Sequence, residues 1–302
     1  MLHGLQRHAF SGLVGFAGGA SVGLVGWGGA QFIIPGLTHP LMGHTQLAAT
    51  GVSICSLSTS SVTSAFKFVW SDSVSYSHAI SIGVPAILAA RIGTRLATRL
   101  PDDVHQLAFN AASFILVPLN LMVQQNAASK RDASDEGGTL RRTLTAHMND
   151  RGLASVTPDP APARLVATAA SVLQPCDLAF GVLTGAISAI LGVGGLPLTM
   201  SYLTAFTDLP HHLVQGTAML AVAPSIVTSA LTRLDAVPKV TAAAVTVGAM
   251  VGAAAGASVA LRTSEARLRE LYMLSLAVLG GRSFVSAGHN LRSILAKQKP
   301  RR

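Results

Sequence analysis

Two glycine-rich tetrads, each inside an apolar stretch, are the residues of this chain best suited to chemistry. Residues 26–29 read Gly-Trp-Gly-Gly and residues 192–195 read Gly-Val-Gly-Gly, 166 positions apart. Adjacent glycines interrupt a helix and expose backbone N–H groups, and they let a ligand approach the main chain closely. Helix N-termini carry partial positive charge. We therefore predict that the tetrads bind a small anion, without covalent catalysis.

Polar side chains near the tetrads could complete such a site. Thr50 and Thr217 occupy matching positions and could add hydroxyl donors, and Gln31 and Ser53 are neutral polar candidates. Arg91 is a further candidate because of its predicted depth in the membrane. The predicted substrate-binding residues are Gly26, Gly28, Gly29, Gln31, Thr50, Ser53, Arg91, Gly192, Gly194, Gly195 and Thr217.

Arginines recur every four residues near the end of the third apolar stretch, at Arg91, Arg95 and Arg99, so they share one helix face. Arg91 lies about eight residues before the end of that stretch, roughly 12 Å inside it by helix rise. A charge at that depth indicates function, whereas charges nearer the end can snorkel to water. Against a role for Arg91, the matching stretch around Ala254 and Ser258 is apolar or small.

The positions of the acidic residues favour an anion over a cation as ligand. All thirteen lie in predicted loops or at the ends of apolar stretches. Sites coupled to cations usually need a carboxylate inside the membrane. If protons are coupled to transport, His44, His211 or His212 could titrate near neutral pH.

Motifs of enzymes and metal sites are missing from the sequence. It has no phosphate-binding glycine loop, no dinucleotide fingerprint and no H-E-x-x-H. Residues 19–23 match the letters G-x-S-x-G, but an apolar helix cannot supply the strand-to-helix turn of a nucleophile elbow. The histidines lack the ligand spacing of a metal site. We predict no enzyme, no metal and no cofactor.

The composition places most of the surface in lipid. Of 302 residues, 50% are hydrophobic and only 12% are charged, about half the share of a soluble domain. The net charge of +9 lies at segment ends, in one loop and in the tail, and aromatic residues make up 5%, which excludes nucleic acid as a partner. We expect Cys55 and Cys176 to be buried thiols.

Eight apolar segments, four in each half, predict the architecture. Most have about 20 residues, enough to cross the hydrocarbon. The first segment of each half is longer and contains its tetrad, and broken backbone at membrane depth must be buried in protein or line a cavity. We predict an all-α integral membrane protein of about eight transmembrane helices, in two four-helix repeats that each have a glycine-broken first helix. The segments run roughly over 9–37, 45–70, 76–99, 104–124, 176–206, 212–234, 238–261 and 268–288.

Four full crossings per repeat would make the repeats parallel, whereas re-entrant pieces at the tetrads could make the crossing number odd, and the sequence leaves both arrangements open.

The predicted divisions are a first repeat (1–125), a polar inter-repeat loop (126–171), a second repeat (172–290) and a basic tail (291–302). With eight spans, sixteen Lys and Arg residues would lie on the side of both termini and the loop, against six opposite. The positive-inside rule then predicts that both termini and the loop are cytoplasmic.

The motifs together resemble the sulfite exporter TauE/SafE-like family, also called the toluene-sulfonate uptake permease family. The residues that carry the resemblance are 24–29 with 49–50 in the first half, and 180–185, 191–195 and 215–217 in the second. The resemblance implies a secondary transporter of sulfite, an organosulfonate or a related sulfur oxyanion, working by alternating access between the repeats. Protons are a candidate coupling ion, and a homo-oligomer is left open. The alternative is a non-transporting membrane scaffold or assembly protein that acts through its basic loop and tail.

Overall fold

A computed structural model describes residues 2–27, 29–101, 175–207, 209–234 and 237–275, with scattered positions between 104 and 129 and residue 278. All regular structure in these ranges is helical. The inter-repeat loop and the basic tail lie outside the described residues, apart from a few positions at the start of the loop. The bounded helices are α1 (Leu2–Val25), α2 (Gly29–Thr38), α3 (Gln46–Trp70), α4 (Tyr76–Ala97), α5 (Pro175–Leu191), α6 (Leu196–Phe206), α7 (His211–Arg233) and α8 (Lys239–Arg262).

The same order of helices occurs in both halves. A helix ends at the tetrad, a helix of 10 or 11 residues follows, and two longer helices complete the set. In the first half, α2 turns back along α1: a Cβ atom at Gly18 would contact Ile33, and one at Gly36 would contact Val14. Each tetrad therefore leads into a short re-entrant helix, which returns the chain without a second full crossing.

Four of the described helices, α1, α4, α7 and α8, are long and apolar enough to cross a membrane, and α5 is a shorter apolar helix. This supports an all-helical membrane protein. The predicted segments 104–124 and 268–288 lie largely outside the described residues, so the count of eight spans stays a prediction. The helix α3 has 25 residues, but six serines and three threonines lower its hydropathy. Most of α3 is buried by other helices, so it does not need an apolar surface toward lipid.

Contacts between helices fix their relative directions. Gly15 of α1 faces Val245 of α8 and Gly23 faces Ala253, so the residue numbers rise together and these helices are parallel. The small residues bring the two backbones into direct contact, as in other membrane helix pairs. Helix α3 is parallel to α8 as well, since the contacts join His44 with Thr241 and Lys67 with Ala254.

The other three long helices run the opposite way. Helix α5 is parallel to α4, because Gly181 faces Ile82 and Gly185 faces Ala86. Helix α7 is antiparallel to α3: Gly216, near the start of α7, faces Phe68, near the end of α3. Corresponding helices of the two halves, such as α1 and α5, therefore run in opposite directions.

We call the face where α3 and α8 begin the first face, and the face where α4, α5 and α7 begin the second face. The N-terminal end of α1 points to the first face, whereas α5, which follows the inter-repeat loop, starts at the second. The loop itself lies outside the residues that the structure describes, so the placement of both termini and the loop on one side stays a prediction.

The centre of the molecule is the antiparallel pair α3 and α7, and the other helices surround it. In its most apolar stretch α7 is 72% buried, against 39% for the outer helices α1 and α8. The central pair is thus enclosed by protein, while α1 and α8 leave more of their surface uncovered.

Candidate functional site

Both tetrads close their helices with the same backbone turn. Gly26 has φ +73° and Gly192 has φ +74°, the left-handed region in which glycine is favoured. The amide of Gly26 donates to the carbonyl of Val22 at 2.8 Å, and that of Gly192 to Ser188 at 2.9 Å. This is the helix C-cap in which a left-handed residue satisfies a carbonyl of the last turn. Gly28 lies outside the described residues.

The second tetrad continues with two more left-handed glycines, Gly194 at φ +85° and Gly195 at φ +70°. Gly195 is the N-cap residue of α6, and no side chain caps this helix. By contrast, the Thr45 hydroxyl caps α3 by accepting a hydrogen bond from the amide of Ala48. The first turn of α6 therefore offers the amides of Leu196 and Leu198 to an anion, whereas Pro197 between them has no N–H.

The second tetrad packs against the N-terminal part of α3, which belongs to the other half. A Cβ atom at Gly192 would overlap Cγ2 of Thr50, and the Ser53 hydroxyl donates to the Gly192 carbonyl at 3.4 Å. The predicted residues Thr50 and Ser53 are thus brought together with Gly192. The Thr50 hydroxyl itself donates to the carbonyl of Gln46.

The first tetrad packs against the second half, but against different side chains. A Cβ atom at Gly26 would overlap Sδ of Met200, and Gln215 donates from Nε2 to the carbonyl of Gly23 at 3.0 Å. The predicted Thr217 is not at this tetrad, because its hydroxyl accepts a hydrogen bond from the amide of Ser75 in the α3–α4 turn.

The two tetrads converge on one side chain in the middle of α3. A Cβ atom at Gly29 would lie 2.6 Å from Cδ2 of Leu57, and one at Gly194 would lie 3.1 Å from Cδ1 of the same residue. The same Cβ atom at Gly194 would lie 3.3 Å from Cδ1 of Ile226 on α7. Leu57 is 1% exposed, and the described glycines of both tetrads are buried. The structure is therefore closed at its centre, and an anion could reach the tetrads only after the halves move.

The remaining sequence predictions fare differently. Gln31 is buried on α2, close to the first tetrad in the chain. Arg91 is exposed on α4 and lies away from the tetrads, because the buried face of α4 is formed by Ala and Gly. Cys55 is buried as expected, but Cys176 is exposed because it lies in the first turn of α5 at the second face.

Arg233 is a buried cation that sequence reasoning counts as a loop charge. It is the last residue of α7 and is 2% exposed, and its Nη2 donates to the Ala189 carbonyl of α5 at 2.7 Å. Ala189 lies three residues before Gly192. The position of Arg233 at the end of an apolar segment does not distinguish it from a snorkelling arginine, so only the packing of the helices reveals that it is buried.

A second buried polar group lies where α4 and α5 begin. The Asp177 carboxylate is 2% exposed and bonds Nδ1 of His78 at 2.8 Å, and it accepts a hydrogen bond from the Tyr202 hydroxyl at 2.7 Å. Asp177 is at a segment end, as the sequence indicates, but it is enclosed by three helices rather than solvated. We call His78, Asp177 and Tyr202 the carboxylate triad.

Glu265, which follows α8, caps the start of α7. Its carboxylate accepts hydrogen bonds from the backbone amides of His211 at 2.9 Å and His212 at 3.1 Å. Burial by itself raises the pKa of this carboxyl. The two amide donors and the nearby imidazoles of His212 and His211 together outweigh it, so the pKa of Glu265 lies below its usual value.

The sequence matches the family model described as sulfite exporter TauE/SafE over residues 11–283. That range covers both halves, including the two tetrads and every bounded helix except part of α1. Among curated proteins and among solved structures, none matches this chain.

Proposed function

We propose, since this chain belongs to the sulfite exporter TauE/SafE family, that it is a secondary transporter of a small sulfur oxyanion such as sulfite or an organosulfonate. Membership of the family makes it a membrane protein of a class that exports sulfur anions. The observation that carries the proposal is the convergence of the two buried tetrads on Leu57, where the two oppositely directed halves meet.

The mechanism follows from that arrangement. Inverted halves with broken helices are a recurring architecture of secondary transporters, in which one half moves against the other and opens the site to each side in turn. Leu57 and Ile226 close the centre in the present conformation. Movement of α3 relative to α7 would separate these side chains and expose the amides at the start of α6 to one face.

The test is flux of sodium sulfite into proteoliposomes that contain the purified full chain. Gly194→Leu is the informative variant, because its side chain would enter the space between Leu57 and Ile226. Gly43→Leu is the matched control: Gly43 is also left-handed, at φ +66°, but lies in an exposed turn where an added Cβ would meet nothing within 4 Å.

We expect saturable flux in the wild type and in Gly43→Leu. Gly194→Leu should carry at least about tenfold less at equal amounts of folded protein, because its side chain would fill the space between Leu57 and Ile226 that has to open for the anion. Folding is checked by size-exclusion chromatography. Equal flux in both variants would separate transport from the tetrads. Flux no higher than in empty liposomes for sulfite, thiosulfate and an organosulfonate would refute the function itself.

A further inference from the structure

Arg233 carries a buried positive charge that no carboxylate among the described residues compensates. Only Nη2 of its guanidinium has a hydrogen bond, to the Ala189 carbonyl, whereas Nε and Nη1 are buried without a partner. No carboxylate in the described part of the chain pairs with it. Arginine keeps its proton inside proteins, so the charge cannot be relieved by deprotonation. A buried ion without a counter-ion is strongly destabilising, which indicates that a counter-ion arrives from outside.

The surroundings of Arg233 place that charge at the second tetrad. Its hydrogen-bond partner Ala189 is in the last turn of α5, which the Gly192 turn closes. Cys55 of α3 faces the part of α7 that carries Arg233, since it lines a cavity with Ala230 and Leu234. It is two residues from Ser53, whose hydroxyl touches the Gly192 carbonyl. The guanidinium, the Ser53 hydroxyl and the left-handed glycine turn therefore belong to one buried region where α3, α5 and α7 meet.

A cavity of about 340 Å³ adjoins this region, between α3, α7 and α8. Ala230 and Leu234, which flank Arg233 on α7, line it together with Cys55. Lys239 at the start of α8 also lines it, so a second cation lies on the first-face side of the cavity. The cavity is larger than a small oxyanion and lies beside the part of α7 that carries Arg233, whose own side chain points to α5 and does not line it.

The corresponding cation of the first half is satisfied within the protein. Lys67 lies near the end of α3 as Arg233 does near the end of α7, but its ammonium donates to the Ala254 carbonyl at 2.8 Å and to the Ser258 hydroxyl. When the two halves are aligned so that Thr50 matches Thr217, the position that matches Arg233 is the residue just before Lys67. One residue rotates a side chain by about 100° around a helix. Lys67 therefore faces α8, whereas Arg233 faces α5 and the tetrad.

We propose that Arg233 is the cationic binding group for the transported oxyanion at the second tetrad. The donors on Nε and Nη1 would bind oxygens of the anion, and the anion would compensate the buried charge. The inference rests on the proposed transport function and names the residue that selects for negative charge. A role limited to capping α5 accounts for the bond from Nη2 but not for the two unpartnered nitrogens.

The experiment compares Arg233→Gln and Arg233→Lys with a control, Arg95→Gln, that removes the same charge from an exposed position of α4. Two quantities are measured on the full chain: the KM for sodium sulfite in proteoliposomes, and the rise in Tm that sulfite causes in detergent. We expect Arg233→Gln to raise KM about 10- to 100-fold and to abolish the sulfite-induced rise in Tm, because charge-assisted hydrogen bonds are lost. Arg233→Lys should fall between, and Arg95→Gln should match the wild type.

The outcomes separate this inference from the function on which it rests. If the wild type carries sulfite and Arg233→Gln keeps the wild-type KM and the sulfite-induced rise in Tm, the inference is overturned while transport stands. A lower Tm in all buffers with unchanged KM would show a structural role only. If no flux is seen, the proposed function fails, and the effect of sulfite on Tm then tests the anion site. A sulfite-induced rise in the Tm of the wild type that both Arg233 variants weaken supports the site. No rise in the wild type overturns the inference about Arg233. Should Arg233→Gln not fold, the KM of Arg233→Lys decides in the same way.

Discussion

The first and second tetrads end their helices with the same left-handed glycine, yet they meet different side chains. Gly26 packs against the flexible thioether of Met200, and Gly192 against the β-branched Thr50. The second tetrad also has a buried arginine beside it, whereas the matching lysine of the first half is bound to α8. The backbone turn is thus common to both halves, while the chemistry around it is not. This difference indicates that charge recognition lies with the second half.

The same asymmetry appears at the outer ends of the broken helices. Asp177 and Tyr202 of the carboxylate triad match Ser11 and Gly36, 166 positions earlier. The Ser11 hydroxyl bonds only within its own helix, to the carbonyl of Arg7, and Gly36 packs on Val14. Glycines bring the backbones together in both the α5–α4 and the α1–α8 contacts, and the α5–α4 contact adds the polar bonds of Asp177.

The largest expected effect distinguishes the two tetrads by how easily the side chain next to each left-handed glycine can move aside. Gly192→Ala should lower the free energy of unfolding by about 2–5 kcal/mol, since it adds left-handed strain of about 1–2 kcal/mol to an overlap with Thr50 that cannot move away easily. Gly26→Ala should cost less, about 1–3 kcal/mol, because the terminal thioether of Met200 can rotate. The measurement is denaturant-induced unfolding of the purified protein in detergent.

The cause of that difference has its own control. Thr50→Ser removes the methyl group that overlaps the added Cβ, so the double variant with Gly192→Ala should regain more than 1 kcal/mol over Gly192→Ala alone. Gly43→Ala, left-handed but in open space, should lose about 1–2 kcal/mol from strain alone. If Thr50→Ser gives no recovery, the overlap is not the reason for the loss.

An intermediate effect is expected at the carboxylate triad. Asp177→Ala removes two charge-assisted hydrogen bonds and leaves His78 and Tyr202 unpaired, so it should lower the free energy of unfolding by about 2–3 kcal/mol. Ser11→Ala at the matching position should cost at most about 1 kcal/mol. Both are measured by the same unfolding assay, and equal losses would contradict the asymmetry of the two halves.

The smallest effect concerns the caps of the two central helices. Glu265→Gln should lower the free energy of unfolding by about 0.5–1 kcal/mol at pH 7, at the low end for a cap because the carboxylate is partly exposed. Since the folded-state pKa of Glu265 is depressed, its contribution is full above the usual value of 4.5 and disappears as the pH falls through the folded-state pKa.

The neutral cap of α3 provides the comparison for this pH dependence. Thr45→Ala should cost a similar amount, but the loss should not change between pH 7 and pH 3.5, because a hydroxyl does not titrate there. Tm is measured for the wild type and both variants across this range. A difference between Glu265→Gln and the wild type that stays constant down to pH 3.5 would disprove the assigned cause.

Sequence reasoning located the helices of the central region closely. The apolar segments 45–70, 76–99, 212–234 and 238–261 correspond to α3, α4, α7 and α8 within about two residues at each end. Those boundaries are readable because uninterrupted apolar runs end at polar or proline-containing turns. The family resemblance was confirmed over residues 11–283. The prediction that Thr217 lies at a tetrad was not confirmed. The second half has one extra residue between its tetrad and Thr217, so positions that match in sequence need not have matching neighbours.

The amino-acid sequence by itself determined the membrane setting, the two breaks and the family, because hydropathy and glycine act locally along the chain. It did not determine that the halves run in opposite directions, because the short helices after the breaks have the same composition whether they cross the membrane or turn back. Nor did it show which arginine is buried. Arg91 lies deeper in its apolar segment than Arg233 does, yet the packing of α7 between α3 and α5 buries Arg233, while the outer face of α4 leaves Arg91 exposed.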